Sequence, residues 1–254
     1  MTKRLTIIVL TLFPDFIEHY KKFGIIKRAI KSKVLQFKAI NLRDYSFDKR
    51  GTVDGRPYGG GVGMVLRPDV IVKAIQALTK RKAKSAPRQA RGALSGSRTG
   101  EKLKIILLTP QGKVFNQAHA RRLAKYDELI FVSGRYEGFD ERIRQFVDEE
   151  ISIGDYVLMG GELPSLVMSE AILRHVPGVL GKLESANAES FAEGLLEYPQ
   201  YTKPEKWKVE SGKWKGKILK VPKVLLTGNH KNIESWRHAE ALKRTKKRRP
   251  DLLT

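Results

Sequence analysis

Apolar residues fall along this chain in two recurrent patterns. The first is a short continuous run, seen in LTIIVLTLF (5–13), KIILLTP (104–110), ELIFVSG (128–134) and DYVLMGG (155–161). Runs of that length, rich in Ile, Val and Leu, predict strands, the first of them a central one. KVLQFKAINL (33–42) adds a strand with period-two alternation at Val34, Gln36 and Lys38. The second pattern is helical, over 16–33, Pro68 to Leu78, Asn116 to Lys125 and Asp140 to Val147. Strands alternating with helices predict an α/β fold around a largely parallel sheet.

Two stretches break the alternation. Residues 80–104 hold nine Lys or Arg against one Glu among Ser, Gly and Ala, the composition of a mobile basic loop. It either touches nucleic acid or is a solvated insertion. After HVPGVLGK, the small polar stretch ESANAESFAEGLLEYPQYTKP suits a linker. The expected organisation is therefore a sheet domain over 1–180, a linker over 181–196 and a mostly helical C-terminal domain over 197–254. In that last domain NIESWRHAEALKRT predicts a helix, with Asn232 as N-cap and Pro250 just beyond its end.

Charge changes the picture most. The chain has 49 Lys and Arg against 27 Asp and Glu, a net +22. Such a field attracts polyanions, nucleic acid first and an anionic membrane surface second. No apolar run approaches the roughly 18 residues that suggest a membrane span. The start, MTKRLTIIVLTLFPDF, has a basic tip and a short apolar run, but Pro14 and Asp15 follow at once and no small-residue cleavage site is present, so a buried strand is expected. With no cysteine in the chain, disulfides, thiolate metal sites and Cys nucleophiles are excluded, and the cytoplasm is the expected compartment.

Several chemistries lack their residues. The phosphate-loop pattern GxxxxGK[ST] is absent. GGGVGM (59–64) resembles a dinucleotide fingerprint loosely, without a strand just before it, and with Lys80 and Arg81 where the ribose-binding acid belongs. The five histidines show no HxxxH or HExxH spacing, and no GxSxG elbow exists. Three stretches remain, each placed after a strand: LLTPQG (107–112), SGRYEGFDER (133–142) and SIGDYVLMGGELP (152–164). In a parallel sheet such loops converge on one crevice. Glycines, few cations and single carboxylates among apolar residues suit an adenine ring carrying a positive sulfonium better than a triphosphate. Backbone groups would bind the adenine edge, and Glu137 or Asp155 would favour the cation.

These motifs, with RPYGGGVGM, RHVPGVLGK and ESFAEGLLEYPQYTKP in the same order, resemble the bacterial tRNA (guanine-N1)-methyltransferases that modify guanosine 37, just 3′ of the anticodon. The likeness runs from LFPDF to RTKKRRPDLL. Segments 80–104 and Glu205 to Lys220 stand out from it as insertions. It implies a homodimeric, SPOUT-type fold with a trefoil knot and S-adenosylmethionine as cofactor. The knot rests on the resemblance alone, since general rules of chain topology argue against one. Cofactor contacts are implied at Leu108, Thr109, Pro110 and Gln111, and at Gly134, Arg135, Tyr136, Glu137 and Gly138. They continue at Ile153, Gly154, Asp155, Tyr156, Val157 and Leu158, with Gly160, Gly161 and Pro164 adjoining.

The family's general base is an aspartate in a linker motif of the form DSFADG, partnered by an arginine from the helix after GGELP. The arginine matches Arg174; the aspartate position holds Glu189, and the later acid of the segment is Glu197. Glutamate keeps the acid but reaches one methylene further. Arg174 either positions the base or pairs with Glu170, four residues earlier on the expected helix. Glu137 either meets the cofactor or a metal, or caps its turn, and Asp140, Glu141 and Arg142 read as a helix start. Magnesium is implied as an aid to activity, without a dedicated ligand spacing. The implied partner is tRNA, with Arg56 and Tyr58 beside the GGG loop and Arg244, Lys246, Lys247 and Arg248 as candidate contacts. Tyr201 and Trp236 are RNA contacts or core aromatics. The alternatives are an RNA-binding relative that is inactive or methylates another RNA such as rRNA, and a basic ribosome-associated protein.

Overall fold

The chain is described by a computed structural model over residues 4–85, 102–180, 190–191 and 194–253, with backbone alone for 80–85. It divides into two compact units, Met1–Leu183 and Glu184–Thr254. The first unit begins with β1 (Leu5–Thr11), α1 (Pro14–Tyr20), α2 (Gly24–Lys31) and β2 (Leu35–Asn41). The short strands β3 (Asp54–Gly55) and β4 (Val65–Leu66) precede α3 (Pro68–Ser85). β5 (Leu103–Val114), α4 (Gln117–Leu123), β6 (Glu128–Ser133), β7 (Glu149–Ser152) and α5 (Glu162–Leu173) complete it.

Five of these strands form one sheet in the order β2-β1-β6-β5-β7, with every pairing parallel. The continuous apolar runs are explained by cover on both sides. Leu5, Ile7, Val9, Leu129 and Phe131 face a core shared with Ile17, Ile26, Leu123, Met168 and Ile172 of α1, α2, α4 and α5. Ile8, Leu10, Ile130 and Val132 face the other way, against Val70, Ile71, Ala74 and Ile75 of α3. β6 is buried along its whole length, and each such Leu, Ile or Phe contributes about 1.5–3 kcal/mol by leaving water.

The sheet departs from the sequence expectation at particular places. The helical stretch 16–33 is two helices, separated by Lys21 to Phe23, with Gly24 at φ 57° opening the second. β5 runs through LLTPQG rather than ending in a loop, with its register on β7 shifting between Leu108 and Lys113. Asp140 to Val147 is a 3₁₀ turn over Glu141–Phe146 rather than an α-helix. DYVLMGG is not a strand: the ladder ends at Ser152, Gly154 turns the chain at φ 144°, and Val157 and Met159 stand in solvent. Of the basic stretch 80–104, α3 takes the first residues and β5 the last; 86–101 lies outside the described residues.

The second unit holds an antiparallel ribbon of β8 (Lys206–Lys208) and β9 (Ile218–Lys220), followed by the long helix α6 (His230–Arg248) and several 3₁₀ turns. The N-cap of α6 is Asn229 rather than Asn232; its side chain accepts from the Asn232 amide at 3.2 Å. Among the described residues no helix is long and apolar enough to cross a membrane.

Candidate active site

β6, β5 and β7 are neighbours pointing the same way, so the chain leaves their carboxyl ends along one edge of the sheet. A cavity of about 330 Å³ opens there. Every implied cofactor position lines it except Asp155, which is exposed and lies off the lining. Leu107, Phe139, Glu141, Ser152 and Met159 line it too, within the three stretches expected to converge though not among the implied contacts; Arg144 and Ile151 lie outside those stretches and were not anticipated. Glu141 carried a usable signal but was read with Asp140 and Arg142 as a helix start, and Arg144 lay in the helix expected over Asp140 to Val147.

Close packing holds the three segments together. The Gly161 amide donates to the Gly134 carbonyl at 3.0 Å, and a Cβ on Gly161 would stand 2.6 Å from the Ser133 Cα. Only glycine lets these two turns approach so nearly. A Cβ on Gly112 would likewise collide with the backbone of Ile151. Tyr136, in the turn after β6, takes φ 60°, a left-handed conformation that costs a bulky residue on the order of 1–3 kcal/mol. The neighbouring Glu137 amide donates to the Met64 carbonyl at 3.0 Å, tying the GRYEG turn to the GGGVGM loop.

A buried charge anchors the same edge. Glu162 opens α5 and is only 2% exposed, so its carboxylate has to be paired. Thr11, at the end of β1, donates its hydroxyl to Oε1 at 2.5 Å, and an Arg135 guanidinium nitrogen lies 2.9 Å from Oε2. That ion pair is close but not aligned as a hydrogen bond; Glu162 Oε2, Arg135 Nε and Ser133 Oγ find no hydrogen-bond partner among the described residues. Arg135 also lies over the Phe13 ring, 4.3 Å from its centroid, and donates to the Met159 carbonyl at 3.2 Å. Arg144 pairs with Glu150 and Gln111, and at 2.8 Å with Glu141, which leaves Glu137 as the lining carboxylate on the GRYEG turn.

Other anticipated residues lie apart from the cavity. Arg174 is the half-buried C-cap of α5 and is not on the lining. The Glu170 carboxylate accepts from the Tyr20 hydroxyl at 2.6 Å, and this bond pushes the tyrosine up to about 12. Glu189 lies outside the described residues. Just after it, the Glu197 amide donates to the Ser190 hydroxyl at 3.0 Å and the Leu196 amide to the Thr245 hydroxyl of α6 at 2.8 Å. Arg56 and Tyr58 are exposed, as are Lys246, Lys247 and Arg248; Arg244 is half-buried and donates to the Glu197 carbonyl at 3.2 Å. The Tyr201 and Trp236 rings lie 6.5 Å apart between centroids, tilted by 50°. Among the described residues no group of three or more His, Asp or Glu is placed to hold a metal ion.

The fold and cavity define an α/β protein that carries a small-ligand site at the carboxyl edge of a parallel sheet. The family model described as tRNA (Guanine-1)-methyltransferase TrmD matches residues 5–254, and the chain belongs to that family. It is 45% identical over 247 residues to the tRNA (guanine-N(1)-)-methyltransferase of Sulfurihydrogenibium sp. (strain YO3AOP1), covering 97% of this chain and 87% of that one. It is 46% identical over 245 residues to the protein of the same name from Bacillus subtilis (strain 168), covering 96% and 90%.

Proposed function

We propose that this protein transfers a methyl group from S-adenosylmethionine to N1 of guanosine 37 in tRNA. The observation that carries the reading is the convergence of three glycine-tight segments on one cavity, in a chain of this family. The volume falls within the roughly 300–1,000 Å³ usual for small-molecule sites. The chemistry of the lining fits the cofactor. Leu107, Leu108, Ile151, Val157 and Phe139 offer an apolar bed for an adenine ring, backbone groups of the turns can read its edge, and Glu137 offers a carboxylate to a sulfonium. When bound, S-adenosylmethionine supplies an electrophilic methyl group.

The chain's own task is to make guanine N1 a nucleophile. N1 carries a proton at neutral pH, and its removal frees an in-plane lone pair. Glu189 is the proposed base and Arg174 the residue that positions it, while negative charge builds on O6. The guanine has to leave its stack to present that edge. Lys246, Lys247 and Arg248 would hold tRNA phosphates, which give affinity without sequence choice. The register shift in β5 and the closeness of Gly112 to Ile151 are consistent with a chain threaded tightly at this edge, and the proposed topology is the SPOUT-type trefoil knot. Val157, Met159, Leu163 and Val167 expose apolar surface just before and along α5, which supports a homodimer. Sedimentation that finds an active monomer would refute the dimer.

The test of function is methyl transfer from labelled S-adenosylmethionine to two tRNA transcripts, one with guanosine and one with adenosine at position 37. Label on the first alone is expected. Equal label on both would move the target elsewhere, and none on either with cofactor still bound would make the chain an inactive RNA-binding relative.

A further inference from the structure

The ribbon of the second unit has no structural reason to look as it does. Between Lys206 and Lys220 the sequence KWKVESGKWKGKILK carries six lysines and one glutamate, and all six lysines are exposed. The strands pair Lys206 with Lys220, Trp207 with Leu219 and Lys208 with Ile218. Further bonds extend the ladder: the Val221 amide to the Glu205 carbonyl and the Val209 amide to the Lys217 carbonyl, both at 2.9 Å. Yet every residue of β8 and β9 is exposed, so neither face rests on a core. An unsupported two-stranded ribbon is marginal in water, and like charges directly opposite weaken it further. The opposed pair Lys206 and Lys220 is such a cost unless an anion lies between them.

The indoles sharpen the point. Trp207 is 56% exposed and Trp214, on the 3₁₀ turn at the tip, is 59% exposed. Lysines are a common guard on exposed strand edges, which would account for the positive charge alone. Edge protection gives no reason to hold two tryptophans in water. Lysines with interleaved aromatic platforms are what unpaired nucleic acid recognises: cations meet phosphates and flat rings stack on bases with little regard to sequence. At the foot of the ribbon a groove of about 740 Å³ continues the character, lined by Tyr198, Tyr201, Val221, Leu225 and Arg237. Arg237 already lies 4.8 Å over the Tyr198 ring.

We propose that the ribbon Glu205–Val221 is an added RNA contact that grips an unpaired stretch of the tRNA, with Trp207 and Trp214 stacking on bases and Lys206, Lys208, Lys217 and Lys220 meeting phosphates. The surface deepens the proposed function, in that it names a contact to the same substrate, and it adds affinity without touching the transfer chemistry.

Two variants of the full-length chain test it, Trp207→Ala/Trp214→Ala and Lys206→Gln/Lys208→Gln/Lys217→Gln/Lys220→Gln. Binding of a tRNA transcript is titrated between about 50 and 200 mM salt, with KM and kcat of transfer measured alongside. The tryptophan variant is expected to bind about tenfold more weakly, as a rise in KM with kcat held. The lysine variant is expected to flatten the dependence of log affinity on log salt by about 0.7 for each single-strand phosphate lost. Affinity within about twofold of the parent in both variants, with an unchanged salt slope, would overturn the proposal. So would a fall in kcat with KM unchanged, or loss of binding to polyglutamate alone, which would assign the ribbon to an acidic protein. Because RNA binding is read directly, the ribbon's role is decided even if the parent methylates no guanosine.

Discussion

Around the cavity of the first unit, groups are held so tightly that Gly161 has no room for a Cβ and Glu162 is sealed from water against Thr11 and Arg135. On the ribbon of the second unit, by contrast, no side chain of either strand is buried. The difference matches the two kinds of ligand proposed for them. A small cofactor has few contacts and needs each one preformed, which close packing supplies. A polyanion is gathered by many weak, long-ranged attractions, for which mobile cations in solvent suffice. The two regions should therefore fail separately when mutated.

The largest expected effect tests whether chemistry can be lost while both binding functions stay. Glu189→Gln should lower single-turnover transfer by about 10²–10⁴-fold, the range for a lost general base, with affinities for cofactor and tRNA unchanged. Unchanged turnover would remove Glu189 from the role. Glu189→Asp should retain substantial activity; its complete loss would mean the site is built around the longer side chain.

Gly161→Ala attacks the packed region alone. The added methyl would push against the Ser133 Cα, an overpacking worth about 1–3 kcal/mol. Calorimetry should show cofactor affinity down at least about tenfold while tRNA affinity holds. Equal loss of both would break the contrast between the regions. The converse variant, Lys246→Gln/Lys247→Gln/Arg248→Gln, should weaken tRNA binding at low salt by about tenfold and flatten its salt dependence, with cofactor affinity untouched. A salt slope identical to the parent would take these residues off the RNA.

How far each region could be read from sequence follows the same physics. The runs 5–13 and 128–134 are apolar because β1 and β6 are covered on both faces, and so they declare themselves. The run 155–161 looks the same in sequence but is loop, exposed over 155–159, because periodicity cannot tell a residue buried in the sheet from one left facing outward. The break at 21–23 was equally hidden, since apolar positions continue across it, and α2 opens on Gly24 at a positive φ that the sequence pattern does not mark. Cavity residues on the three glycine motifs were legible, as the family likeness lies in those motifs. The pairing of Glu162 was not: its partner Thr11 is 151 residues away, and nothing local marks either as buried. Glu141 was lost to a helix-start reading, and Arg144 to the helix expected over Asp140 to Val147, a segment that forms a 3₁₀ turn.

The smallest predicted effect lies on the support of the packed region. Tyr20 of α1 donates to the Glu170 carboxylate of α5, and that bond, helped by burial and by the negative charge, raises the phenol from 10.0 to about 12. A folded-state value above the unfolded one means that the contribution is fully present below pH 10 and is lost as pH rises through about 12. The pair is half-buried, so solvent reduces its worth to about 1 kcal/mol. Tyr20→Phe should therefore lower urea-derived stability by about that amount at neutral pH, and the gap between the two proteins should narrow once the medium passes pH 10. A gap that stays constant through that range would show that Tyr20 acts by packing alone, and that the joint between α1 and α5 is apolar rather than charged.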